Sequence, residues 1–483
     1  MKNFAKFFVV ALVVALVASL FAISSSAAQT VDPRDLKPGS NNVVFITDPA
    51  EEDGQLPGDG TGKDAENPYQ PIDHELFDPE KKTRYYNTAI YQATELLKDT
   101  GGTVVICGPV YLDINDGSGD HANTADVYLA ENGNNVIKFT SVYNGVDYRE
   151  TNGAKITIVQ PAEIGIMGSS IWENITIETS GTNRLIHCNS YPTLFGEGIV
   201  TRPVEEDYAS VASYYVSISG GHRWNGGHDL TPNVVVQSGT YNIICSGIWG
   251  ANNWRSETTK ATYNNDGETN AKLTLEGTTT VLGKISGTTH QASEFSGKTE
   301  IIINGGSYPC DIFGVGNTGM TNREGIVNIR INGGDFSSTW SLSPAALGHT
   351  NNPPAAAILD FTGWTGELAS LASAYSVANM AETPFTNIKL PEGVSAEDLQ
   401  GAAAETTVAQ TDAPSVADTT IGGVIIGTVA PENTDEPDAA VGVGGDNGGM
   451  NLGLIIAIAA GAVVVIAAVV VVIVVSKKKK ANK

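Results

Sequence analysis

The chain is short of positive charge, of cysteine and of charge altogether. It carries 28 lysines and arginines against 53 aspartates and glutamates, a formal net charge of -25 over 483 residues. A protein that grips nucleic acid needs a basic footprint on the phosphate backbone, and this balance has the opposite sign, so nucleic acid is excluded as a partner. Four cysteines are too few for a disulfide-stapled scaffold. Charged residues make up 17%, against about 25% in ordinary soluble domains, too few for a long coiled coil. With 41% hydrophobic residues the chain is not disordered throughout. No Cys-x-x-Cys pair is present to start a zinc site. Cys107, Cys188, Cys245 and Cys310 each fall in an apolar, strand-like stretch. That suits buried free thiols and leaves one or two disulfides open.

What charge there is lies unevenly. All 53 acids but only 21 of the 28 basic residues fall between residues 30 and 450, so that stretch has a net charge of -32. The other basic residues are Lys2 and Lys6 at the start and Lys477, Lys478, Lys479, Lys480 and Lys483 at the end. Residues 1–28 read as a secretory signal: two lysines, an apolar run from Phe7 to Ile23, then small residues with Ser26 and Ala28 placed for cleavage. Leu452 to Val475 is 24 residues without a charge, longer than the ~20 needed to cross a bilayer. The lysines that follow place the C-terminus in the cytoplasm and the body outside. Leu390-Pro391-Glu392-Gly393 lacks the threonine of a sortase signal, so the helix itself is the anchor.

Residues 395–450 hold ten acids and no lysine or arginine. Such a segment reads as a flexible, self-repelling linker of roughly 40 Å root-mean-square span. The expected organisation is a signal peptide (1–28), a folded ectodomain (29–394), an acidic linker (395–450), a transmembrane helix (451–476) and a basic cytoplasmic tail (477–483). The chain is thus expected at the cell membrane as a single-pass protein with its ectodomain outside.

Within the body, residues 84–99 place apolar side chains at 86, 89, 90, 93, 96 and 97, the spacing of one helix face, and Gly101-Gly102 ends the run. A second helix is expected from Glu367 to Met380, with Leu368, Leu371, Ala372 and Tyr375 on one face. Between them run short alternating segments broken by glycine. Glycine corners recur at 239, 277, 306 and 334, in steps of 38, 29 and 28, usually with an aromatic two residues later, as in Gly239-Thr240-Tyr241 and Gly306-Ser307-Tyr308. Self-similarity at this period points to stacked coils, each burying its inward side chains against its neighbours. Glycine supplies positive φ at the corners, and asparagine hydrogen-bonds along them. The expected fold is all-β: a parallel β-solenoid of about nine or ten coils, with the two helices capping its open ends. The competing architecture, a pair of β-sandwiches, requires hairpin turns at shorter spacing.

At Val44-Phe45-Ile46-Thr47, then Gly58-Asp59-Gly60-Thr61-Gly62 through Asn67-Pro68, then the helix and Gly101-Gly102-Thr103-Val104-Val105-Ile106, the chain resembles the opening of secreted pectate-lyase-like right-handed parallel β-helix proteins. The Ile-Asn-Gly-Gly-x-aromatic repeats are similar to those of membrane-anchored surface proteins of gut Gram-positive bacteria. The resemblance spans roughly residues 42–365 and implies the β-helix fold. It does not imply one reaction, because the fold hosts lyases, hydrolases and adhesins alike. Within that span the Asn-Thr-Asp, Asp-Asp and Gly-His-Gly motifs of polygalacturonase type are missing, and Thr201-Arg202-Pro203 lacks the second arginine of the lyase pattern.

The richest polar stretch is 205–255. Trp224, His228, Trp249, Trp254 and Arg255 are candidates for glycan contact, since aromatic faces stack on sugars while Arg and His hydrogen-bond hydroxyls or carboxylates. Asp207, His222, Arg223 and Asp229 are the candidates for acid–base work. His222 and His228 are also the one close histidine pair. Asp113, Asn115, Asp116 and Asp120 offer oxygen ligands to calcium, the one cofactor in view, although the closing glutamate of an EF-hand is missing. Gly58 to Asp64 is not a phosphate loop: Pro57 replaces its first glycine and Asp64 its Ser or Thr. The expected function is a surface-displayed glycan-binding or adhesin protein. The alternative is a membrane-tethered polysaccharide lyase or glycoside hydrolase.

Overall fold

The computed structural model describes residues 31–48, 60–69, 88–112, 126–160, 162–221, 232–247, 269–288, 298–315, 325–345 and 354–400. The chain divides into two units, Met1–Ala413 and Pro414–Lys483, and every described residue belongs to the first. The expected signal peptide, transmembrane helix and basic tail, and all of the linker beyond residue 400, lie outside the described residues. Among the described residues no helix is long and apolar enough to cross a membrane.

Strands dominate, and they pair in parallel. A first row runs through Val43–Asp48, Gly102–Leu112, Gly133–Thr140, Gly168–Glu173, Thr193–Phe195, Asn233–Val236, Thr269–Leu275, Lys298–Ile303, Ile326–Ile331, Ala356–Asp360 and Asn387–Lys389. The strand Gly102–Leu112 spans two rows. Its first half pairs with Gly133–Thr140, while Pro109–Leu112 pairs with Lys155–Val159. That second row continues through Thr176–Ser180 to Val200–Pro203. A third row runs from Asp126–Tyr128 through Glu163–Gly165, Leu185–His187, Ser217–Ser219, Thr240–Cys245, Thr280–Ser286 and Asp311–Val315 to Ser341–Ala345. Each strand therefore meets its counterpart one circuit of the chain later. This all-parallel pairing rules out the two-sandwich alternative, whose sheets are built from antiparallel strands. Among the described strands the one antiparallel pair is a small hairpin, Val142–Tyr143 with Val146–Asp147. It turns at Asn144-Gly145, both at positive φ, as a two-residue hairpin requires.

Alternation decides what is inside. Val104, Phe139, Trp172, Phe195, Val236, Leu275, Ile303 and Ile331 stand in register on successive rungs, and all are essentially fully buried. Phe139 stacks on Trp172 with ring centroids 4.3 Å apart. Each such side chain contributes roughly 1.5–3 kcal/mol of burial, and none of it is available to a single coil.

The glycine corners act as the spacing implies. Gly239, Gly306 and Gly334 have φ of 101°, 92° and 120°. Each turns the chain so that Tyr241, Tyr308 or Phe336 enters the interior. The Tyr241 hydroxyl donates back to the Ser238 carbonyl at 2.9 Å, and Tyr308 does the same to Gly305. A polar ladder follows the same corner: Gln237 Nε2 and Asn304 Nδ2 donate to Glu276, and Asn332 Nδ2 donates to Asn304 Oδ1 at 2.7 Å. All four cysteines are buried free thiols.

The first helix, Ala89–Leu97, packs on the strands Val43–Asp48 and Gly102–Leu112. Its buried side chains are Ala89, Ile90, Ala93, Thr94 and Leu97. Leu96 is exposed, because its angular position falls outside that stripe, and Thr94 takes the inward place, accepting from Ala130 N–H at 2.9 Å. The later helix, Leu368–Asn379, packs on Ser341–Ala345, the last strand of the third row. Its buried side chains are Leu371, Ala372, Ala374 and Ala378, while Leu368 is exposed. Ordered chain continues past residue 394, where the linker was expected to begin. Residues 396–400 are helical, Ser395 hydrogen-bonds Asp398, and Leu399 is buried against the core.

At the other end, Val31 accepts from Asn233 Nδ2 at 3.0 Å, and Arg34 lies 3.5 Å from Glu276. The N-terminal segment thus lies against strands of the middle coils.

Candidate functional site

Of the residues singled out from the sequence, Asp207 is the one the structure describes. It sits on a 3-10 turn, Glu206–Tyr208, and is exposed. Next to it Tyr208 stacks face to face on Tyr214, centroids 3.9 Å apart and planes 4° from parallel. His222, Arg223, Trp224, His228, Asp229, Trp249, Trp254 and Arg255 lie outside the described residues, and so do Asp113, Asn115, Asp116 and Asp120. No group of three or more His, Cys, Asp or Glu side chains among the described residues is arranged to hold a metal ion.

The stems of the two polar stretches are described. The strand Ser217–Ser219 leads to Gly221, the residue before His222, and Thr240–Cys245 leads to Gly247, two residues before Trp249. These strands are neighbours in the third row, with Ser219 opposite Cys245. Gly220 N–H donates to the Cys245 carbonyl at 2.8 Å and Gly221 N–H to the Gly247 carbonyl at 2.7 Å. Ser219 Oγ donates to that same Gly247 carbonyl at 2.8 Å. Two stretches some 25 residues apart in sequence therefore set out from adjacent rungs of one corner. A parallel rung spacing is about 4.8 Å.

Two polar clusters on the described surface were not singled out from the sequence. In the second row, Glu178 accepts from Lys155 Nζ at 2.8 Å and from Arg202 Nη2 at 2.8 Å. Burial pushes the Glu178 carboxyl up, but the hydrogen bonds from Lys155 and Arg202 outweigh it and hold the group below its ordinary value. This is a structural clamp across three rungs, with its charges largely satisfied by one another.

In the third row, Lys284, Asp311 and Ser341 stand in register on three consecutive rungs. Their neighbours Ile285, Ile312 and Leu342 are fully buried, so alternation turns Lys284, Asp311 and Ser341 to the outer side. Burial pushes the Lys284 ammonium down to about 8. It raises the Asp311 carboxyl, with Lys284 partly offsetting the rise. Trp340, immediately before Ser341, is 69% exposed, while Trp172 is fully buried and Trp364 packs against the core. Its N–H donates to the Cys310 carbonyl at 3.1 Å, which fixes it beside the Asp311 rung. The residues are 27 and 30 positions apart, so only the coil period could have grouped them. In sequence, Lys284 and Asp311 look like ordinary surface charges.

Comparison with known protein families, curated proteins and solved structures finds no match to this chain.

Proposed function

We propose that this protein is an extracellular, membrane-anchored right-handed parallel β-helix that binds glycans along its side, an adhesin-type surface protein. The large parallel sheets and circuit-by-circuit register support the β-helix part of the reading. The right-handed sense follows the rule for parallel crossovers. The pectate-lyase-like resemblance of residues 42–365 points the same way. The signal-like start, the acidic linker and the apolar run closed by lysines support export and anchoring.

One observation carries the binding reading. The stems of the 222–229 and 249–255 stretches leave one corner on hydrogen-bonded neighbouring rungs. The stretches that continue from these stems carry three tryptophans, two histidines and two arginines in sequence, the composition that stacks on sugar rings and bonds their hydroxyls. The enzymatic alternative uses Asp207, His222, Arg223 and Asp229 for acid–base steps. Asp207 is exposed on its turn, and the other three lie outside the described residues.

A glycan array probed with the full-length, detergent-solubilised chain tests the reading. At least one glycan is expected to be retained, and a Trp224→Ala/Trp254→Ala variant to change the pattern. Release of unsaturated or reducing ends from a bound polysaccharide would move the assignment to an enzyme.

A further inference from the structure

The row of Lys284, Asp311 and Ser341 is turned to the outer side of three consecutive rungs, with Trp340 next to it in the chain. Interior packing is supplied by Ile285, Ile312 and Leu342 on the same strands. Burying a lysine and an aspartate on an outer face carries a desolvation cost that apolar or small polar residues would avoid. An exposed tryptophan beside them adds apolar surface in contact with water. Outer-face charge, hydroxyl and open aromatic ring together match what a sugar offers: a flat apolar face and a rim of hydroxyls that both donate and accept.

We propose that Trp340, Ser341, Asp311 and Lys284 form a subsite for an uncharged pyranose glycan, the ring stacking on Trp340 and the hydroxyls bonding Asp311, Ser341 and Lys284. The inference rests on the glycan-binding reading and adds to it a place and a ligand class. The class follows from charge. Lys284 donates and Asp311 accepts, so the pair serves both senses of a hydroxyl while its charges cancel, leaving nothing to recruit a carboxylate or sulfate. The chain from 30 to 394 carries 21 basic and 43 acidic residues, a net charge of -22, and a negative field repels polyanions over roughly 10 Å at 0.1 M salt. A polyuronate or sulfated glycan is therefore the wrong partner for this face, and a neutral polysaccharide the right one. Register does the assembling, because a ligand lying along the coil axis meets one rung after another at about 4.8 Å.

Affinity electrophoresis of the full-length chain in detergent tests this, in gels containing galactomannan, mixed-linkage β-glucan, polygalacturonate or chondroitin sulfate. The wild type is expected to be retarded by at least one neutral polymer and by neither polyanion. Trp340→Ala is expected to weaken that retardation at least tenfold and Asp311→Asn severalfold, while Trp224→Ala/Trp254→Ala retains part of it. Trp340 is exposed, so its alanine variant should fold normally, and an unchanged circular dichroism spectrum checks that. Retardation by the polyanions alone overturns the inference while glycan binding stands. So does a Trp340→Ala chain that behaves like the wild type. Retardation in none of the gels overturns the glycan-binding reading and this subsite with it.

Discussion

The two halves of the folded body stack coils by different means. From 269 to 360 the circuits are nearly equal: Leu275 faces Ile303, Ile303 faces Ile331, and Ile329 faces Leu359, steps of 28, 28 and 30. Their corners repeat the same glycine, and two of them carry an inward tyrosine or phenylalanine, Tyr308 and Phe336. From 102 to 219 the circuits vary: Val104 faces Phe139, Phe139 faces Trp172, and Trp172 faces Phe195, steps of 35, 33 and 23. Here an additional row of strands and an inserted hairpin take up the difference, and an aromatic stack fills the interior.

The comparison can be broken most severely at the stack. Trp172→Ala removes the largest fully buried side chain and should cost about 3–5 kcal/mol. In a stacked-coil protein the damage should stay local. Hydrogen exchange is expected to accelerate from residue 133 to 203 and to change little beyond 298. Equal acceleration in both halves would show that they unfold as one cooperative unit.

Next comes a corner of the regular half. A Cβ on Gly306 would lie 2.4 Å from the Thr279 carbonyl oxygen, at φ +92°. Gly306→Ala should destabilise by about 2–3 kcal/mol. Gly153, at φ +66° with open space around it, should cost only about 1 kcal/mol as alanine, from backbone strain alone. Denaturant midpoints of the two variants compare a corner that packs with one that merely turns.

The ends of the molecule differ as well. Asp48 Oδ2 accepts from Ala89 N–H at 3.0 Å, at the start of the first helix, whereas the later helix has no side-chain cap. Burial pushes the Asp48 carboxyl up to about 7. A raised acid binds its proton more tightly folded than unfolded. Its contribution is therefore complete below the unfolded value near 4 and is lost as pH rises toward 7. Asp48→Asn keeps an acceptor for Ala89 and should stabilise the N-terminal coils at pH 8, on the order of 2 kcal/mol, with no gain at pH 4. Thermal melts at the two pH values read this directly.

The smallest effect is expected at Glu178, whose net shift is downward. Its contribution is present above the unfolded carboxyl value and is lost as pH falls through the lower folded one. Arg202 is 58% exposed, so solvent screening keeps the loss on Glu178→Gln to about 1 kcal/mol or less. Stability measured from pH 6 down to pH 3 should converge between wild type and variant at the acid end.

Glycine spacing made the regular half legible in the sequence, because a corner that needs positive φ leaves a residue type behind. The irregular half was harder to read. Trp172 and Phe195 carry no periodic mark, and the Asn144-Gly145 turn interrupts a coil without ending it. The later helix was placed nearly to its ends, whereas the first begins at Ala89, after the N-cap Thr88, and not at residue 84; Leu96 and Leu368 were assigned to faces they do not occupy. Helical spacing says which residues share a stripe; the contacts of each helix with its neighbouring strands decide which stripe is buried. The candidate site divides in the same way. Exposed-looking Trp, His and Arg clusters can be seen in sequence, while Trp340 and the Lys284–Asp311–Ser341 row cannot.

The sequence by itself determined a coil-forming, acidic, all-β body between two oppositely placed apolar segments, because composition, periodicity and charge are properties of the chain alone. Only the tertiary structure decided which residues share a rung. A stacked coil brings together side chains separated by 21 to 62 positions, and those separations depend on how much chain each corner absorbs.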